Sequence, residues 1–153
     1  MMLPSPKKRQ IIEWGNNMKN LKIEIDKVFT NEELCRIFKC APQGGMRKSN
    51  TTNTLVLITK TYGQKIYRDR WKNDIFYYTG MGLEGDQELN RQNKTLAESK
   101  ENGVEVHLFE NEAPNTYIYK GIVELTDSIV QDRQPDKNSN LRHVYIFPLK
   151  MKK

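Results

Sequence analysis

Apolar residues along this chain recur mostly at every second position, in short runs. Leu21, Ile23 and Ile25 alternate with Lys22, Glu24 and Asp26, which predicts a half-buried strand over 21–28. Thr54–Thr59 is an apolar strand, and Asp74–Thr79 is a strand dense in aromatics. In the latter, alternation puts Phe76 and Tyr78 on one side and Tyr77 on the other. Val104, Val106 and Leu108 alternate, as do Tyr117 and Tyr119 and then Ile122 and Leu125, and Arg142–Leu149 closes the series. Helical spacing appears twice. Thr30-Asn31-Glu32-Glu33 reads as a capping box before Leu34, Ile37 and Phe38, and that short helix ends near Cys40, ahead of Pro42. Gln87–Glu101 places Leu89, Gln92 or Asn93, Leu96 and Ala97 on one stripe, and Asn102-Gly103 stops it.

The remainder is connection. Residues 41–53 are rich in Gly, Ser, Asn and Thr, Thr61–Trp71 is polar, and Asp132–Asn140 is a turn cluster. Residues 1–20 have no period and read as an N-terminal tail, with one helical turn around Ile11–Trp14. About six strands and two helices that do not alternate strictly predict an α+β fold: a curled mixed sheet or open β-barrel with flanking helices, in one domain over 21–150.

Composition narrows the partners. The chain has 153 residues and a formal net charge of +6, which favours a polyanionic partner through counterion release. No apolar run reaches the ~20 residues of a membrane span. Lys7, Lys8 and Arg9 are not followed by an apolar signal segment, so the expected location is cytoplasmic, with no membrane partner. Cys35 and Cys40, with His107 and His143 far away, make no zinc signature, so no metal is expected and the cysteines read as reduced, partly buried thiols.

Gly80, Gly82 and Gly85 spell G-x-G-x-x-G after a strand, with Glu105 where a ribose-binding acid would stand. The following helix begins after the third glycine, however, and consecutive strands follow Gly103, so a dinucleotide site is the lesser reading. These glycines more simply permit positive φ or a close backbone approach. No cofactor is expected.

One ordered set of segments carries more. Gly45-Met46-Arg47-Lys48-Ser49-Asn50, Leu55-Val56-Leu57, the stretch Tyr67–Trp71, Tyr78-Thr79-Gly80, Gly85-Asp86-Gln87, the helix with Asn93, Leu96 and Ser99, and Gly103 follow one another over residues 21–149. This order resembles the SRA (SET and RING associated), or YDG, domain family. D-I-F-Y-Y-T-G-M-G-L-E-G-D-Q, N-K-T-L-A-E-S and V-Y-I-F-P-L-K resemble most the SRA-like module of bacterial McrA-like modification-dependent HNH endonucleases. The resemblance implies a PUA-like open barrel that flips a modified cytosine, 5-methylcytosine or a bulkier C5-modified form, out of double-stranded DNA.

Such a pocket has definite requirements. Extruding a base costs roughly a few kcal/mol. Two aromatic stacks at about 1–3 kcal/mol each can offset this. A carboxylate distinguishes the cytosine N4 amino group from the thymine O4. The resemblance makes Tyr78 one stacking aromatic and Asp69, nine residues earlier, the pocket acid. Tyr67 is the natural second wall, but Tyr67 and Asp69 are one residue closer than in the better-known eukaryotic relatives, which leaves Trp71 as the alternative. Thr79 and Gly80 would offer backbone groups to the base edge, while Asn93 and Ser99 support the pocket from the helix. Without that order, an aromatic strand reads first as core, and Asp69 between Arg68 and Arg70 as a loop ion pair.

Gripping a duplex needs cations and a wedge. Arg47 and Lys48 are the expected phosphate or minor-groove contacts, with Ser49 beside them at the DNA, and Met46 or Gln43 the filler of the vacated space. Arg68 and Arg70, with Lys60, Lys65 and Lys72 and the interleaved Tyr62, Tyr67 and Trp71, form a second basic cluster. Only Met81–Gly85 lies where eukaryotic relatives carry a long strand-sensing finger. The two histidines make no HNH constellation and no PD-(D/E)xK pattern is convincing. The expectation is therefore a binding module without catalysis, serving modification-dependent restriction or defence, with a separate nuclease as a candidate partner. The alternatives are a dinucleotide-dependent oxidoreductase, an atypical nuclease, or a PUA-like RNA-binding domain.

Overall fold

A computed structural model describes residues 22–63 and 67–152. Its elements are β1 (Val28–Phe29), α1 (Asn31–Phe38), β2 (Met46–Ser49), β3 (Thr54–Lys60), β4 (Arg70–Lys72), β5 (Ile75–Thr79), α2 (Arg91–Ala97), β6 (Glu105–Ala113), β7 (Thr116–Leu125), β8 (Val130–Pro135) and β9 (Leu141–Met151). All nine strands join one sheet, ordered β2-β3-β6-β7-β9-β5-β4, with β1 on β7 and β8 on β9. The β3–β6 pair is parallel and the other pairs are antiparallel. Among the described residues this is the expected mixed open sheet with two helices.

The long β9 does most of the curling. One of its edges pairs with β5 over residues 146–150, while the other passes from β8 (141–146) to β7 (149–151). The curl brings the two ends of the sheet together without closing it. Tyr78 on β5 reaches the carbonyls of Gly45 and Ile58 at 2.8 and 3.2 Å, and Thr59 on β3 donates to Asp69 at 2.8 Å. Side chains, not a ladder, thus span the seam between β3 and β4–β5.

The apolar run of β3 is buried on both faces. Leu55 and Leu57 join the interior cluster with Phe76, Leu108, Phe147 and Leu149, while Val56 faces the opposite cluster under α1. There Leu34, Ile37 and Phe38 pack on Phe29, Phe109 and Tyr119. Each such side chain contributes about 1.5–3 kcal/mol through burial. The Thr30 capping box forms as expected: Glu33 N–H donates to Thr30 Oγ1 at 3.1 Å, and Thr30 N–H to Glu33 Oε1 at 2.8 Å. His107 is a satisfied core histidine, held by Tyr119 at 2.8 Å and Glu105 at 2.9 Å.

Several expected boundaries move. The strand over 21–28 shrinks to Val28–Phe29, because Asp26 adopts φ 71° in a turn and Ile25 is left exposed. Leu21 and the tail over 1–20 lie outside the described residues, as does Lys65. The second helix starts at Arg91 rather than Gln87, because the Gln87 side chain works as a strand bridge: its amide donates to Gly80 O at 2.6 Å and accepts from Tyr145 N at 2.9 Å. The cluster over 132–140 divides: 132–135 belong to β8, and 136–140 make the turn back to β9. β4 occupies the end of the expected Thr61–Trp71 connection. Among the described residues no group of three potential metal ligands occurs, and Cys35 and Cys40 are free. Among the described residues no helix is long and apolar enough to cross a membrane.

Candidate functional site

Where the sheet's ends meet, a half-open cavity of about 560 Å³ is left. Gly44 and Gly45 line it from beyond α1, and Tyr78, Thr79 and Gly80 from the end of β5. Tyr67 lines it from the segment before β4, Met81–Glu84 from the loop after β5, and Lys137 from the β8–β9 turn. Tyr67 and Tyr78, eleven positions apart in sequence, therefore face one hollow.

Both phenols are held in place and kept neutral. Burial pushes the Tyr78 hydroxyl well above the ordinary tyrosine range, and the nearby Asp69 charge adds to this. Burial also raises Tyr67, against the opposing Gly82 N–H and Arg142. The Tyr67 hydroxyl accepts from Gly82 N–H at 3.3 Å. A Cβ at Gly45 would stand 3.4 Å from the Tyr78 hydroxyl, in van der Waals contact with it.

Asp69 is half-buried and fixed from two sides. Its Oδ1 accepts the Thr79 N–H at 2.7 Å and its Oδ2 the Thr59 hydroxyl at 2.8 Å. It does not itself line the cavity; it holds Thr79, which does. The Thr79 hydroxyl accepts from Gln134 Nε2 at 3.3 Å, and Gln134 Oε1 accepts from Arg68 N–H at 3.3 Å. Gln134 is thus a shelf under the site that the expected turn over 132–140 concealed.

A family model matches most of the chain. It matches residues 26–152 and describes the ScoMcrA-like SRA domain. The chain belongs to the ScoMcrA-like SRA domain family. No curated protein sequence matches it. Among solved structures, the sulfur-binding and SRA domains of ScoMcrA complexed with phosphorothioated DNA superpose at a TM-score of 0.70 with 16% identity, covering 86% of this chain and 40% of that one. The SRA domain of SUVH5 with hemimethylated CG DNA gives 0.63 at 20% identity over 86% of this chain and 90% of that one. KRYPTONITE with mCHG DNA and SAH gives 0.62 at 17%, over 99% and 39%. The chain spans 29% of the ScoMcrA phosphorothioation-dependent restriction endonuclease, to which it superposes at 0.70 with 15% identity over 88% of its own length.

Within this SRA domain, some expected roles move. Trp71 does not line the cavity. It is paired with Phe76 across β4–β5 and packs on that ring at 4.9 Å, capping the core edge, so of the two candidate second walls Tyr67 is the one that lines the cavity. Gly80 offers no free backbone: its N–H donates to Tyr145 O at 2.8 Å and its carbonyl accepts from Gln87. It must be glycine because a Cβ would meet Asn93 Oδ1 at 2.8 Å. Asn93 holds Met81 through both its N–H and its carbonyl, as a supporting residue should. Ser99 only caps its own helix end, donating to Leu96 O. The glycine fingerprint has no helix at its third glycine, so the dinucleotide geometry is absent.

The expected DNA contacts divide. Arg47 is buried, donating to Gly44 O at 2.8 Å and Asn31 Oδ1 at 2.7 Å, and it stiffens the cavity lip from behind rather than meeting phosphate. Met46 is core, and Ser49 is buried, its hydroxyl accepting from Thr52 N–H, so neither reaches solvent. Lys48 is half-buried, with its ammonium turned onto Ser49 O and Asn50 Oδ1, and burial lowers its pKa. Gln43 is exposed beside Gly44. Arg68 and Arg70 are exposed on the outer side of the seam, Arg70 lying 5.5 Å from the Tyr77 ring. Leu83, Glu84, Lys137 and Arg142 were missed in sequence. For Leu83 and Glu84 the signal was their place between Gly82 and Gly85 in the Met81–Gly85 interval; Lys137 and Arg142 gave none.

Proposed function

We propose that this SRA domain is a DNA-binding module that reads modified cytosine, 5-methylcytosine or a bulkier C5-modified form, by taking the flipped base between Tyr67 and Tyr78. The observation that carries this is that both tyrosines and the Asp69-held end of β5 meet at one cavity. Its volume of about 560 Å³ exceeds the roughly 150 Å³ that holds a benzene ring. That leaves space for a substituent at C5. Two stacks at about 1–3 kcal/mol each are of the size needed to offset extrusion.

Thr79 provides the edge reading. Gly80 N–H bonds across to β9, so alternation turns the N–H and carbonyl of Thr79 toward the other edge. Asp69 takes the N–H, and the carbonyl beside it is an acceptor for the cytosine N4 amino group. Family membership and the modified DNA in the ScoMcrA, SUVH5 and KRYPTONITE structures support the reading. The name of the ScoMcrA endonuclease supports placing this module in modification-dependent restriction, coupled to a nuclease.

Fluorescence anisotropy on matched duplexes with and without 5-methylcytosine, at physiological salt, tests the reading. Tighter binding of the modified duplex is expected, and equal affinities defeat it. Modified plasmid incubated with the protein and Mg²⁺ should stay intact; nicking would make the chain an enzyme.

A further inference from the structure

We propose that Leu83 is the wedge that enters the duplex and fills the space left by the extruded base; this rests on the base-pocket reading above. Seven large apolar side chains are strongly exposed among the described residues, and Leu83, 47% exposed, is the one of them that lines the cavity. An apolar side chain at the mouth of a base-sized hollow meets the chemistry of an unstacked base step, where leucine and similar residues insert.

The loop that carries it is fixed by its neighbours. Gly82, at φ 132°, and Gly85, at φ 66°, make its two bends. Gly82 N–H donates to the Tyr67 hydroxyl, and Arg142 Nη1 donates to the carbonyls of both Gly82 and Gly85 at 2.8 Å. Leu83 O accepts from Lys137 N–H at 3.0 Å, and Gly85 N–H donates to Asp136 at 3.2 Å. Arg142 is itself buried, and its Nε and Nη2 have no partner among the described residues. A buried cation is thus committed to holding the loop backbone, while the leucine it presents is left in solvent.

The surroundings suit a duplex. Glu84 would repel phosphate, but Lys137 neutralises it at 2.9 Å and stands on the same rim. The facing lip is Gly44-Gly45, which has no side chain to obstruct a passing nucleotide. Met46, the buried alternative, cannot leave without opening the core, and Gln43 lies beside that facing lip.

The test compares wild type, Leu83→Ala and Leu83→Met on a duplex carrying 5-methylcytosine opposite guanine and on one carrying it opposite an abasic site. An abasic partner removes much of the cost of extrusion. Leu83→Ala should weaken binding about tenfold on the paired duplex and less than twofold on the abasic one, with Leu83→Met near wild type. A 2-aminopurine next to the target should brighten with wild type and stay dim with Leu83→Ala. An equal loss on both duplexes, or no loss on the paired one, overturns the wedge alone, provided wild type discriminates modified DNA. A wild type indifferent to modification removes the pocket and the wedge together.

Discussion

The Thr79 N–H donates to Asp69 Oδ1 at 2.7 Å, which ties the end of β5 to the segment that carries Tyr67. The other oxygen of the same carboxylate holds Thr59 on β3, so one aspartate joins both sides of the open seam. Asp69 thus sets the cavity's shape from behind, and Thr79, which it holds, is the residue that faces the hollow.

Asp69→Ala should therefore abolish the preference for modified DNA while leaving salt-sensitive nonspecific binding. It should also cost about 1–3 kcal/mol of stability, because the Thr79 N–H and Thr59 hydroxyl lose their partner. Anisotropy at two salt concentrations and a denaturant titration measure both. Unchanged discrimination removes Asp69 from the site.

The two candidate second walls separate by substitution. Tyr67→Ala should weaken binding of modified DNA by about 1–3 kcal/mol, roughly 5- to 150-fold. Trp71→Ala, which loses its packing on Phe76, should shift the melting temperature and leave the modified-to-unmodified affinity ratio within about twofold. The reverse ranking would place Trp71 against the base.

Arginines behind and outside the seam should behave differently. Arg47→Ala strips hydrogen bonds from Gly44 O and Asn31 and should cost about 1–3 kcal/mol of stability without altering the salt slope. Arg68→Ala and Arg70→Ala should each lower the slope of log K against log salt by about 1, with little change in melting temperature. A drop in slope for Arg47→Ala would mean that it reaches phosphate.

Tyr67, Tyr78 and Tyr119 are all held above their ordinary range by burial. A raised folded-state pKa means that the unfolded chain releases its protons first as the pH climbs past about 10. Their contribution to stability is therefore fully present below about pH 10 and declines above it. Melting temperatures from pH 8 to 11.5, read beside phenolate absorbance, should show this onset. A fall of the same origin at pH 8–9 would contradict neutral, buried phenols.

Much of the fold was legible because it depends on local periodicity. The Thr30 capping box, the double-sided burial of β3 and the aromatic alternation of β5 each follow from neighbours in sequence. The failures have a common cause. Gln87 reads as helical but spends its amide bridging Gly80 and Tyr145, and 132–140 reads as a turn cluster throughout, although 132–135 belong to β8, because β8 takes its order from β9 rather than from its own apolar pattern. Arg47 looked like a phosphate contact because a basic residue in a polar loop gives no sign that Asn31 and Gly44 wait for it.

The sequence by itself determined the strand and helix material, the positive charge, and the order of Tyr67, Asp69, Tyr78 and Thr79 along the chain. Tertiary structure decided which of these meet. Contacts between residues eleven to seventy apart depend on how far the sheet curls about β9, and that curl is set by pairing and packing across the whole molecule. It placed Tyr67 at the cavity and Trp71 outside it, turned Arg47 and Met46 inward, and left Leu83 at the mouth.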